Sequence, residues 1–126
     1  MSDFSIEQEF QHVATCIRHH VTGFGLAHVT MINPYLYKSI YGLTLLQSRV
    51  LWNHVIASEQ MIVNYEKKNL LWTLRFLRHY QTKRCLAHDV KCAPGTLMKW
   101  VWFTIDILST LKIVSKIHVH IFVVFI

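Results

Sequence analysis

His12, Cys16 and His19 stand at i, i+4 and i+7, so on a helix two imidazoles and a thiol share one polar face at one-turn intervals. Imidazole and thiolate are zinc ligands, and the series reads as a metal-binding module that still needs a ligand from elsewhere to close a tetrahedron. Glu9 lies beside it and His20 nearer the apolar edge. Cys85, His88 and Cys92 form a second fragment of a zinc pattern, without a paired ligand set at the usual spacing, so a mobile loop with two thiols is the preferred reading. Because the chain holds nine His, a His-rich polar face also arises from composition alone.

Other chemistry is sparse. His118-Val119-His120-Ile121 is similar to the alternating histidines of the histidine triad nucleotide hydrolases, but the third alternating position is Phe122, and no hydrolase role is carried over. Val21-Thr22-Gly23-Phe24-Gly25-Leu26 resembles the glycine turn of selenophosphate synthetases, with His20 where those enzymes commonly have an acidic residue. Ending a helix explains Gly23 without a phosphate. With seven acidic residues in all, no carboxylate pair stands out as general acid and base. A nucleophile motif and a phosphate-cradling loop are also missing, so a noncatalytic role is favoured and no cofactor is implied.

The strongest signal is the placement of charge. Lys67, Lys68, Arg75, Arg78, Lys83 and Arg84 fall within 18 residues that contain no Asp or Glu, so the whole formal excess of +6 resides there. At about 100° per residue, Lys67, Lys68, Arg75 and Arg78 project within a sector of about 100°. Leu70, Leu74, Phe76, Leu77 and Tyr80 occupy the remainder, Trp72 lies near the boundary, and Leu71 intrudes on the cations. Lys83 and Arg84 fall outside the sector. A basic amphipathic helix over 67–84 with an interfacial Trp72 has the chemistry to meet an anionic membrane surface or an acidic protein partner. Nucleic acid is a weaker reading, since no base-reading module accompanies the cations. The plainer alternative is a core helix whose leucines face inward and whose cations face water.

These residues need elements to hold them, and 126 residues with 52% apolar and only 16% charged side chains are enough for one small domain, 1–126, with a substantial core. Ile6, Phe10, Val13, Ile17 and Val21 recur at helical steps, with Ser5 and Gln8 as a capping box and Gly23 as terminator. Residues 25–32 read as strand or loop, and Asn33-Pro34 as a boundary. A second helix is expected from there to about Leu46. A third is expected from about Ser48 to Tyr65, with Leu51, Trp52, Val55, Ile56, Ile62 and Val63 inward. Residues 48–81 form either one long helix or a pair hinged at 66–69, with no clear stop before Pro94-Gly95.

Thr96 is the expected cap of a last helix whose polar stripe is Lys99, Asp106, Ser109 and Thr110. Residues 97–126 form an apolar C-terminal segment whose final part is readable as helix or strand. Alternation over Ile117, Val119, Ile121 and Val123 favours strand. Asp106, Lys112 and Lys116 count against a membrane-spanning tail. The N-terminus lacks a basic and an apolar region, and three cysteines make no disulfide framework, so secretion by a cleaved signal is not expected. A cytosolic or membrane-associated setting is favoured.

The expected fold is therefore mainly α. The expected function is noncatalytic association with an anionic membrane surface or acidic protein partner through Lys67, Lys68, Trp72, Arg75, Arg78, Lys83 and Arg84. The alternatives are a metal-binding module at His12, Cys16 and His19, or a young or alternative translation product with no selected biochemical function, which the scarcity of Ala and Gly suggests.

Overall fold

Ser5 opens the first helix as its spacing predicts: the Ser5 N–H donates to Gln8 Oε1 at 2.9 Å and the Gln8 N–H donates to Ser5 Oγ at 3.2 Å. The computed structural model describes residues 5–19, 30–58, 64–79 and 81–110. Among these it contains six helices and no strand: α1 (Ile6–His19), α2 (Pro34–Tyr41), α3 (Leu45–Ile56), α4 (Lys67–His79), α5 (Lys83–Val90) and α6 (Pro94–Thr110). The mainly α expectation holds. The Gly23 terminator, residues 25–29, Ile62, Val63, Tyr80 and the strand pattern beyond Thr110 lie outside the described residues.

Several boundaries differ from the sequence reading. The second helix stops at Tyr41, not Leu46, because Gly42 adopts φ +82° and its N–H closes onto the Lys38 carbonyl. Thr44 then opens α3 with a complete capping box to Gln47. Of the two readings of 48–81, the pair is the one found, but the third helix ends at Ile56 and not at Tyr65, and α4 begins at Lys67, inside the expected hinge. A further break separates α4 from α5, where the Thr82 hydroxyl accepts from the Cys85 N–H at 3.2 Å. Lys91, in the left-handed region, closes α5. The last helix starts at Pro94, whose missing N–H costs nothing in the first turn, so Thr96 sits inside α6 and does not cap it.

Helix α4 is the central element, packed against α6, α1 and α2. Every residue from Asn69 to Leu74 is buried, so this stretch of α4 is enclosed on all sides. The main core joins Phe10 and Ala14 of α1, Tyr37 and Tyr41 of α2, Leu51, Trp52 and Val55 of α3, and Leu70, Leu71, Leu74 and Leu77 of α4. A second cluster places Trp72 against Leu86, Ala87 and Val90 of α5 and Leu97 and Val101 of α6. Deep burial of side chains this size contributes roughly 1.5–3 kcal/mol each relative to exposure.

Buried hydroxyls fix the packing. Ser48 Oγ donates to the Thr44 carbonyl, so Tyr37 is left to donate to Ser48 Oγ at 2.8 Å. By the same logic Thr104 donates to the Trp100 carbonyl, and Tyr65 donates to Thr104 Oγ1 at 2.7 Å. Thr15 Oγ1 accepts the Ile32 N–H and Gln11 Nε2 donates to the Ile32 carbonyl, tying α1 to the segment before α2.

Candidate anion-binding surface

The segment expected to present one basic face is divided between two helices, and the core uses its apolar side. Leu70, Leu71, Leu74 and Leu77 are buried, and Trp72 lies inside the second cluster instead of at an interface. Its Nε1 is enclosed without a hydrogen-bond partner among the described residues, as is Asn69 Oδ1. The amphipathic pattern is thus that of a core helix.

Three of the cations are matched by acids of the same molecule. Lys67 Nζ lies 3.1 Å from Glu9 of α1 and 4.7 Å from the centroid of the Trp52 ring, so it is held between a charge and an aromatic face. Lys68 Nζ is 3.7 Å from Glu66 and 5.6 Å from the Trp72 ring centroid. Arg75 Nη2 is 3.1 Å from Asp89 Oδ2 of α5. Gln81 completes that group, accepting from Arg75 Nε at 3.1 Å and donating to Asp89 Oδ2 at 2.8 Å.

Arg78, Lys83 and Arg84 are different. All three are exposed and have no ion pair to a described residue. The stem of Arg78 lies over Gly42, with its Cδ 3.4 Å from where a β-carbon would stand. Lys83 and Arg84 occupy the first turn of α5, where the partial positive charge of a helix N-terminus adds to their own. Arg84, His88 and Lys91 follow at helical steps and line a shallow recess with Pro94. His88 and Lys91 were not singled out as binding residues from sequence, although their i+4 and i+7 spacing from Arg84 was readable once α5 was separated from α4.

A cleft of about 450 Å³ opens between the end of α1, α2 and the end of α4. Arg18, Arg75, Tyr41, His79, Gln81 and Asp89 line it together with the apolar side chains of Ile17, Leu36 and Ile40. His79 Nε2 is 2.8 Å from the Ile40 carbonyl; a carbonyl only accepts, so this nitrogen carries the proton. Tyr41 is 2% exposed. Burial pushes its hydroxyl up to about 12 while the nearby charges of Arg75 and Arg18 pull it down. At neutral pH it is therefore a proton donor.

The metal alternative gains no geometry. Among the described residues no group of three or more His, Cys, Asp or Glu side chains could hold a metal ion, so the spacing of His12, Cys16 and His19 does not become a formed site. Burial also pushes the Cys16 thiol up, away from the thiolate that zinc requires. Cys92 is raised for the same reason, partly offset by the charge of Lys68. Among the described residues no helix is long and apolar enough to cross a membrane. Comparison with family models, with curated proteins and with solved structures found no match, so the residues themselves carry the functional argument.

Proposed function

We propose that the chain associates noncatalytically with an acidic protein partner through Arg78, Lys83 and Arg84, with Lys91 extending the same charge. The observation that supports this reading is the asymmetry within the basic segment: Lys67, Lys68 and Arg75 are occupied by Glu9, Glu66 and Asp89, while Arg78, Lys83 and Arg84 remain exposed without an ion pair to a described residue. An acidic protein is favoured over a bilayer because the leucines and Trp72 that would enter the acyl region are committed to the core. An anionic bilayer would gain only about 1 kcal/mol per surface cation, too little for firm attachment by three.

The test is retention of the full chain on immobilised polyglutamate over a salt gradient, beside flotation with vesicles containing phosphatidylserine. Wild type is expected to bind polyglutamate in a salt-sensitive manner, and the variant carrying Arg78→Glu, Lys83→Glu and Arg84→Glu to lose that binding while keeping its helical circular dichroism. Equal retention of the two proteins, or stronger binding to vesicles than to polyglutamate, overturns the reading.

A further inference from the structure

We propose that the cleft between Arg18, Arg75 and Tyr41 receives a single carboxylate carried next to an apolar group. The inference rests on the acidic-partner reading and names what the partner presents: an Asp, Glu or chain-terminal carboxylate with an aliphatic neighbour.

Three observations carry it. The first is the charge of the lining. Arg18 and Arg75 supply two guanidinium groups against the one carboxylate of Asp89, an excess of one positive charge among these three groups. A carboxylate matches that excess, whereas a phosphate monoester at neutral pH would leave the cleft negative. Arg75 is also held in place: Gln81 engages Nε and Asp89 engages Nη2, so Nη1 is left to meet a ligand with little further loss of side-chain freedom. Arg18 is exposed at the end of α1 and has no ion pair to a described residue.

The second is Tyr41. Its side chain is almost wholly buried and it lines the cleft, yet its hydroxyl makes no hydrogen bond to a described residue. Tyr37 and Tyr65, by contrast, each place the hydroxyl on a partner. A carboxylate oxygen in the cleft would accept a charge-assisted bond from this hydroxyl. The third is the wall. Ile17, Leu36 and Ile40 lie beside the charged groups, so an aliphatic neighbour of the carboxylate has apolar surface to cover. The cleft also adjoins the exposed cations, since His79 and Gln81 line it within two residues of Arg78 and Lys83.

The probe is hexanoate, titrated into the full isotopically labelled chain and followed by amide chemical shifts, with hexan-1-ol and hexyl phosphate as companions. Hexanoate is expected to saturate with a dissociation constant on the order of 1 mM and to shift residues around Tyr41. Hexan-1-ol should give no saturable shift, and hexyl phosphate should bind more weakly. Arg18→Gln and Tyr41→Phe should each weaken hexanoate by about tenfold, because each removes a hydrogen bond to a charged group. Tyr41→Phe keeps the ring and the packing, so a folding defect does not mimic the result. Hexanoate binding unaffected by both variants, absence of a saturable shift, or tighter binding of hexyl phosphate overturns the proposal. Those outcomes are separate from polyglutamate retention: the charge-reversed variant at Arg78, Lys83 and Arg84 keeps the cleft, so retention lost with hexanoate binding intact supports both proposals. Retention without hexanoate binding removes this one alone.

Discussion

The guanidinium of Arg75 and the carboxylate of Asp89 meet at 3.1 Å across the junction of α4 and α5, with Gln81 bonded to both. Neither group is fully exposed, so the pair lies between a screened surface bridge and a buried one. Asp89→Asn retains an acceptor and is expected to cost about 1 kcal/mol, while Asp89→Ala strands two donors and should cost about 2 kcal/mol. Urea unfolding of Asp89→Asn, Arg75→Gln and the double variant gives the coupling, expected at about 0.5–1 kcal/mol. A coupling of zero would mean that the two charges add nothing to the bridge that Gln81 makes between them.

The break after α4 depends on Thr82, whose hydroxyl satisfies the Cys85 N–H. Helix α5 has only eight residues, too few to persist without tertiary support, and it carries Asp89 to Arg75. Thr82→Ala and Thr44→Ala are each expected to cost about 1 kcal/mol. Their consequences should differ in place. Hydrogen exchange should accelerate in α5 for Thr82→Ala and at the start of α3 for Thr44→Ala; faster exchange throughout the chain in either variant would contradict a local capping role.

The buried faces were legible wherever a single periodicity met a single environment; the helix count was not, since α5 stands where the sequence implies no separate helix, and Ile56, expected inward at the end of α3, is exposed. Phe10 of α1 and Leu51, Trp52 and Val55 of α3 face the core as their spacing implies, and the polar stripe Lys99, Asp106, Ser109 and Thr110 is exposed on α6. Caps were less legible because Thr82 and Gly42 each act through one hydrogen bond or one dihedral and leave periodicity almost unchanged. The basic segment misled in another way. A stripe of cations reads as a free face only if no acid approaches it in space, and Glu9 and Asp89 are 58 and 14 residues from Lys67 and Arg75. Leu71 within the cationic sector was the available warning, since an interfacial helix has no use for a leucine there, and in the fold that leucine is fully buried. The Arg18–Arg75–Tyr41 cleft had no sequence signal at all, being assembled from three helices.

Alkaline pH should unfold the protein through its tyrosines. Burial favours the neutral phenol at Tyr37, Tyr41 and Tyr65, raising all three above the ordinary value of 10.0. Above about pH 10 the unfolded chain releases these protons while the folded chain keeps them, so the unfolded state binds fewer protons and stability falls as pH rises. Full stability on this account is present below pH 10 and is lost on passing above it. Tyr41 moves least, to about 12, because Arg75 and Arg18 offset its burial. Tyr41→Phe should therefore remove less of the alkaline loss than Tyr37→Phe or Tyr65→Phe. At neutral pH the order is set by hydrogen bonds instead: Tyr37→Phe, which takes the donor from Ser48, should cost about 1 kcal/mol, and Tyr41→Phe almost nothing. Urea midpoints across this pH range, with tyrosinate absorbance of the folded chain alongside, read both effects. A midpoint that stays constant through about pH 11 would show that these phenols ionise in the folded protein as they do in water.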